Sequence, residues 1–466
     1  MRMLAGVVLL LGVACAPVPV ATPAAAPRAD TGAAEATVDS ALAVLTFDSA
    51  WSRIAHAHYD TAYNGVDWPA VRTELRPQAA AARTIPALRR VITEMLGRLG
   101  ESHFGLIPRE AAGALEGGAP AGAAAPGHPG LEVRLADGEL LVWRIDPAGA
   151  AAAVGIRTGW ALLSIDGRPV APRLAALLAL PEAEQRVART QLLYRLNGEL
   201  AGEPGDELAL QLRNEEGAVE YQVPLRPRAG QVIAYGSLPP TAAVLNSAQV
   251  QLADGCAGVI RFTMWLVPLA VEFDDAVDEH RACDGIIIDL RGNPGGIAGM
   301  VMGTAGHFVD ESLTLGLMKT RTTELRFRAN PRRVRRDGSE TQPFAGRVAI
   351  LTDEMTASTS EFFAEALQAV GRARIFGTPS AGQALPALMM RLPTGDVMMY
   401  AVADFRGPTG SRLEGRGVVP DVIVETTRED LLQQRDAPLQ AALAWIASGV
   451  AGGHHPGEDT GHHENR

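Results

Sequence analysis

Four short apolar runs constrain the fold of this chain more than any other feature. Val259 to Phe262, Gly285 to Asp289, Arg347 to Leu351 and Ala373 to Phe376 are mainly apolar or β-branched, with one charged residue each, and are separated by segments of helical period. A strand buried on both faces reads as a continuous apolar run, and strands alternating with helices build a parallel sheet covered by helices. From about Ile233 onward the chain is therefore expected to form an α/β core with a mainly parallel sheet.

The stretch before that core divides by composition and period. Ala43 to His58 and Pro86 to Leu99 place apolar residues three and four apart and predict helices, with a turn and helix start at Asn64-Gly65-Val66-Asp67-Trp68 between them. A connection rich in glycine, alanine and proline runs from Gly113 to Gly127. Beyond it, Gly130 to Arg134, Leu140 to Trp143, Val154-Gly155-Ile156-Arg157-Thr158-Gly159-Trp160 and Leu162-Leu-Ser-Ile-Asp166-Gly167, followed by a helix and the strand pair Glu207 to Leu212 and Val219 to Leu225, resemble a PDZ domain. Such domains take up extended peptide ends by strand addition, and a module that only gates a site fits the pattern as well. The expected organisation is a signal segment at 1–15, a tether at 16–40, a helical region at 41–112, a PDZ-like domain at 128–228, the core at 229–449 and a tail at 450–466. His454, His455, His462 and His463 in that tail have no apolar period around them, and no metal is assigned to them.

With 466 residues and 47% hydrophobic content the chain can bury a large core, and its net charge of -11 argues against a nucleic-acid partner. Arg332-Arg333-Val334-Arg335-Arg336 is the local exception and reads as a solvated loop or hairpin. At the start, Arg2, the apolar run Leu4 to Val13 and Ala14-Cys15 form a leader too short to span a bilayer permanently. Gly12-Val13-Ala14-Cys15 resembles a bacterial lipobox, which implies lipidation at Cys15, a membrane anchor and a periplasmic or cell-envelope location. Cys256 and Cys283 each stand two residues before an apolar run, so parallel pairing of those runs would bring them close. A disulfide and two buried free thiols both remain open. Apart from His280, neither cysteine has a ligand at zinc spacing.

Chemistry concentrates in two places. Thr356-Ala357-Ser358-Thr359-Ser360-Glu361 lies between a strand and a helix start, where a serine is either an ordinary N-cap or a nucleophile aimed out of the turn. Asp289-Leu290-Arg291-Gly292-Asn293-Pro294-Gly295-Gly296 follows a buried strand, and its glycines permit close approach of backbone to a substrate. No P-loop lysine follows, so a phosphate cradle is not assigned.

Together these segments resemble the superfamily of C-terminal-processing (tail-specific) and tricorn-type serine peptidases, over roughly Ala43 to Glu425. The resemblance implies a ClpP/crotonase-like core, Ser358 as nucleophile, and an oxyanion hole from Gly295 or Gly296 together with Thr359. Processing enzymes take the serine proton with a lysine in the segment Gly377-Thr378-Pro379-Ser380-Ala381-Gly382-Gln383, but here Gln383 replaces it and Lys319 is the only lysine of the chain. The glutamine those enzymes often carry four positions later is also missing, since Ala387 stands there. Leu99-Gly100-Glu101-Ser102-His103 instead matches the tricorn-type base segment, and Glu414-Gly415-Arg416-Gly417-Val418-Val419-Pro420-Asp421 matches the segment that supplies the relay glutamate. The resemblance therefore implies His103 as base, oriented by Ser102 and Glu414, with a titration in the range of roughly 6 to 7.5. The expected function is an exported serine endopeptidase that cleaves peptides or the C-terminal regions of unfolded protein substrates by acyl-enzyme chemistry, without cofactor or metal. A ligand-binding protein on the same scaffold and a hydrolase of non-peptide esters are the alternatives.

Overall fold

The computed structural model describes residues 36–112, 126–228, 230–233 and 241–450. Cys15 with its leader, the tether up to residue 35, most of the 113–127 connection and the histidine-bearing tail lie outside the described residues.

Helices α1 (Ser40–Ala57), α2 (Trp68–Ala81) and α3 (Ile85–Gly97) form the N-terminal unit. Each starts at a side-chain cap: Asp39 accepts from Leu42 N, Asp67 from Ala70 N and Thr84 from Ala87 N. Ala43, Phe47, Ala50 and Ile54 recur at helical spacing and are the buried stripe of α1. Trp51 and Trp68 tie α1 to α2, each indole N–H donating to the other's backbone carbonyl at 3.0 and 3.2 Å. Strand β1 (Gly105–Ile107) then leaves this unit and pairs with the core.

The β domain is a sheet in the order β2 (Leu131–Ala136), β3 (Glu139–Ile145), β4 (Ala161–Ile165), β5 (Glu207–Arg213), β6 (Ala218–Pro224), with β2 at one edge. Helix α4 (Glu182–Glu199) covers it, and Leu193, Leu196 and Leu200 pack on Leu131, Val133, Leu208 and Leu210.

The core sheet runs β7 (Leu245–Gln251), β8 (Cys256–Phe262), β9 (Gly285–Asp289), β12 (Arg347–Thr352), β13 (Ala373–Gly377), β17 (Val422–Ile423). Its four central strands are the four apolar runs of the sequence, mutually parallel and adjacent, while β7 pairs antiparallel to β8. Helices α5 (Val267–Glu279) and α6 (Thr359–Ala369) pack into one buried cluster with the sheet, and α7 (Ala437–Val450) covers Ile287, Leu351 and Phe376.

Two β arms depart from the simple strand-and-helix alternation. β10 (Leu313–Thr320) and β11 (Glu324–Ala329) form a hairpin completed by β16 (Ala403–Arg406), while β14 (Ala387–Arg391) and β15 (Val397–Ala401) join β1. In Glu324-Leu-Arg-Phe-Arg-Ala only Phe327 and Ala329 are buried, so the apolar signal of that arm is thin.

Parallel pairing of Ala257 with Gly285 brings the strand starts together, and Cys256 and Cys283 are disulfide-bonded. The arginine patch is not a free basic surface, because Arg332, Arg335 and Arg336 face Asp274, Asp278 and Asp275 of α5.

Phe363 on α6 is fully buried between Trp265 and Phe308, with ring centroids at 5.2 and 6.5 Å. Phe363→Ala is expected to cost about 3–5 kcal/mol of unfolding free energy, measured by denaturant titration. A loss below about 1 kcal/mol would show that this cluster does not carry the core.

Candidate active site

Ser358 occupies the turn between β12 and α6 with φ 55° and ψ -121°, a conformation a non-glycine residue keeps only when its surroundings impose it. The constraint is double: the Ser358 N–H lies 2.9 Å from Oε2 of Glu361 and 2.9 Å from the carbonyl of Gln383. Every other residue from Met355 to Leu367 is buried, and Ser358 alone in that run is partly exposed. Thr356 and Thr359 are not caps, since their hydroxyls donate to Leu290 O and Gly296 O.

Glu361 is the residue that sequence reading passed over. Its carboxylate is fully buried and accepts from Ser380 Oγ at 2.6 Å, Gly382 N at 2.7 Å, Gln383 N at 3.1 Å and Ser358 N. Burial pushes its carboxyl up to about 7, against the opposing pull of those donors. The Ser-x-x-Glu spacing of a capping box was the available signal.

Gly295 packs directly on the serine: a Cβ there would lie 2.7 Å from Ser358 Cβ and 2.9 Å from Thr359 N, and its φ of +97° already excludes most residues. Its amide, however, donates to Asn293 Oδ1 at 3.0 Å. Gly296 is bridged to Trp265 through its neighbours, Trp265 N to Gly295 O and Ile297 N to Trp265 O, so that pairing leaves the Gly296 N–H uncommitted. Of the two glycines, Gly296 is the one whose amide makes no hydrogen bond among the described residues, and its carbonyl accepts from Thr359 Oγ1 at the start of α6 at 2.8 Å. Asn293 spans the loop, donating from Nδ2 to Phe262 O at 3.0 Å. Asp289 and Arg291 anchor it: Arg291 donates to Asp289 at 2.9 and 2.8 Å and to Asp436 at 2.7 and 2.8 Å. Burial alone would raise the Asp289 carboxyl, but Arg291 and Arg261 bring it down to about 2.

The relay segments meet by side chain. Glu414 accepts from Ser102 N at 2.7 Å and from Ser102 Oγ at 2.8 Å, and Ser102 Oγ lies 2.7 Å from Nδ1 of His103. The single hydroxyl proton goes to Glu414, so Ser102 accepts from Nδ1–H and the lone pair of the imidazole is at Nε2. Burial raises the Glu414 carboxyl. Desolvation pushes the His103 imidazole down to about 4, below the range of roughly 6 to 7.5 expected for an ordinary histidine, although part of its surface is exposed. Two features hold the segment in place. Asn64 Nδ2 donates to Leu99 O at 2.9 Å, and Glu101, buried beside Ser102, accepts from Tyr59, from His58 Nε2 at 3.1 Å and from Arg412 at 2.8 Å.

The two halves of the site meet at consecutive residues. Gln383 O accepts from Ser358 N, and Ala384 N donates to Glu414 Oε2 at 2.8 Å. Among the described residues no hydrogen bond joins Ser358 Oγ to His103 directly. Lys319 is exposed on β10, opposite Asp404 of β16, and among the described residues no hydrogen bond joins it to Ser358. Among the described residues no cluster of three or more histidine, cysteine or acidic side chains is placed to hold a metal ion.

Gly295→Ala would force a methyl against Ser358 and a positive φ on alanine. It is expected to lower the turnover of a peptide substrate by about a hundredfold or more while far-UV circular dichroism stays unchanged. Full turnover in that variant would show that the serine does not depend on this contact.

Residues 257–424 match the model of peptidase family S41, and residues 46–97 match the tricorn protease C1 domain. The carboxyl-terminal-processing protease of Synechocystis sp. is 29% identical over 223 residues, 47% of this chain and 49% of that protein, so the chain spans about half of its length. The chloroplastic C-terminal processing peptidase of Tetradesmus obliquus is 26% identical over 388 residues, 81% of this chain and 76% of that protein. In fold, the chain is similar to the photosystem II D1 C-terminal processing protease, with TM-score 0.56 and 20% identity over 88% of this chain and 98% of that one. It is likewise similar to mature CPAF, with TM-score 0.57 and 16% identity over 88% and 97% of the two chains. Residues 257–424 are thus a peptidase family S41 domain, preceded by a helical region with a tricorn-type C1 segment.

Proposed function

We propose that this protein is a serine peptidase that cleaves peptides or protein C-terminal regions through an acyl-enzyme, with a tricorn-like base in place of a lysine. The observation that carries this reading is the Glu414–Ser102–His103 chain, tied to the strained Ser358 through Gln383 and Ala384. Ser358 Oγ attacks the peptide carbonyl and its proton passes to Nε2 of His103. The positive charge that forms is met at Nδ1–H by Ser102 and, through it, by Glu414. The tetrahedral oxyanion takes hydrogen bonds from the Gly296 and Thr359 amides. His103 then gives the proton to the leaving amine, and water, deprotonated by the same imidazole, releases the acyl group.

The proposal includes export. The Cys256–Cys283 disulfide supports it, since such bonds persist in oxidising compartments. The leader ending at Cys15 would supply a lipid anchor to a bacterial membrane, and the β domain, in this reading, is PDZ-like.

His103→Ala is expected to lower kcat by about a thousandfold, and Lys319→Ala to leave it unchanged. Desolvation favours the neutral imidazole, so protonation of the base should lower kcat/KM only as the pH falls toward about 4, while a change near 7 belongs to the Glu361 carboxyl. A variant without Lys319 that is inactive, beside an active His103→Ala, would reject the assignment of the base.

A further inference from the structure

In a domain that binds peptides by strand addition, an edge strand offers free N–H and C=O groups and a groove beside a helix receives the ligand's side chains. Here that edge is β2 and the helix is α4. Val142, opposite Val133 on β3, sends its N–H to Trp160 on its other side, so the polar backbone groups of Val133 face away from the sheet. They are already taken. Val133 N donates to Asn197 Oδ1 at 2.9 Å, while Val133 O accepts from Asn197 Nδ2 at 3.0 Å and from Arg134 Nη1 at 3.1 Å. A helix side chain thus makes both bonds that a docking peptide would make at this residue.

The groove is also filled by side chain. Met355, three residues before Ser358, is 4% exposed and packs with Leu131, Val133, Leu193 and Leu196 of the β domain rather than with the core of its own domain. Its loop is fastened there at three successive residues: Arg134 Nε to Asp353 Oδ2 at 3.1 Å, Thr190 Oγ1 to Glu354 O at 2.9 Å, and Tyr194 Oη to Met355 O at 3.1 Å. The arginines near the groove are ion-paired: Arg134, Arg228 and Arg261 lie at 3.4, 3.4 and 3.7 Å from Glu132, and Arg134 and Arg261 also pair with Asp353 and Asp289. A 460 Å³ cavity remains between Glu132, Asn197, Met355, Gly292 and Pro294, and these three arginines line it.

We propose that the β domain is an internal clamp on the nucleophile loop, with Met355 as its built-in ligand, and that the enzyme accepts internal substrate segments without requiring a free C-terminal carboxylate. This rests on the peptidase reading above and narrows its substrate class. Asp353 shows how the clamp reaches the chemistry: held by Arg134, its other oxygen accepts from Gly292 N at 2.8 Å and Met355 N at 3.0 Å, so the oxyanion loop and the serine turn share one carboxylate with the β domain.

The test uses the full chain and one quenched peptide prepared as free acid and as C-terminal amide. Equal kcat/KM for the two forms, within about twofold, is expected, and a preference of roughly tenfold or more for the acid overturns the proposal. Met355→Ala is expected to lower kcat on the amide about tenfold with KM unchanged, and Met355→Leu to restore it; an unchanged kcat in Met355→Ala also overturns it. If neither form is cleaved, the peptidase reading fails, and the clamp is decided separately by fluorescence anisotropy of the two labelled peptides. Equal or absent binding supports the closed groove, and selective binding of the acid refutes it.

Discussion

The geometry around Ser358 depends on the buried carboxylate of Glu361. Four donors converge on it from two segments of chain: one from Ser358 itself and three from Ser380, Gly382 and Gln383. Without that charge the serine N–H would lose half of what fixes it, and the 380–384 segment would lose its register against α6. A carboxylate with no exposed surface is costly unless its lone pairs are filled, which is why the surroundings are so well ordered. Burial still raises its carboxyl, so those donors offset the cost only in part.

From this point the structure extends in two directions. Through Gln383 and Ala384 it reaches Glu414 and the base, carried on a segment that the N-terminal helices and the Glu101 cluster hold. Through Asn293, Gly295 and Trp265 it reaches the end of β8, with Trp265 Nε1 donating to Ser360 Oγ at 2.8 Å and Ser360 Oγ to Asn293 O at 3.2 Å. The parallel sheet supplies the rigidity, since β9 and β12 are adjacent and both loops leave from their C-terminal ends. The site is therefore built from the N-terminal unit and the core, and neither contains all of its parts.

What was legible in the sequence follows from the range of each interaction. The four core strands are buried over most of their length, so their apolar runs announced them. The hairpin arms are not: β11 exposes most of its residues, and such a strand looks like loop. Ser358, Ser102, His103 and Glu414 were found by resemblance, because nothing in the spacing of residues more than three hundred positions apart predicts that Ser102 meets Glu414. The cysteines were left between a disulfide and free thiols, since the choice depends on pairing register. Asn197, Asp353 and Glu101 gave no signal. Each is an ordinary polar residue whose partners are distant in sequence, and only burial shows what it holds. The sequence likewise did not show that the amides of Gly295 and Gly296 differ, the first donating to Asn293 Oδ1.

The central claim is that Ser358 is made nucleophilic by the His103 relay, and the most direct measurement is the site and rate of its modification by a fluorophosphonate. The account predicts a single adduct on Ser358, mapped by peptide mass spectrometry. It further predicts that Glu414→Gln and Ser102→Ala slow the reaction by about tenfold or more without moving the site. An adduct elsewhere, no adduct at all, or a rate indifferent to both substitutions would contradict it.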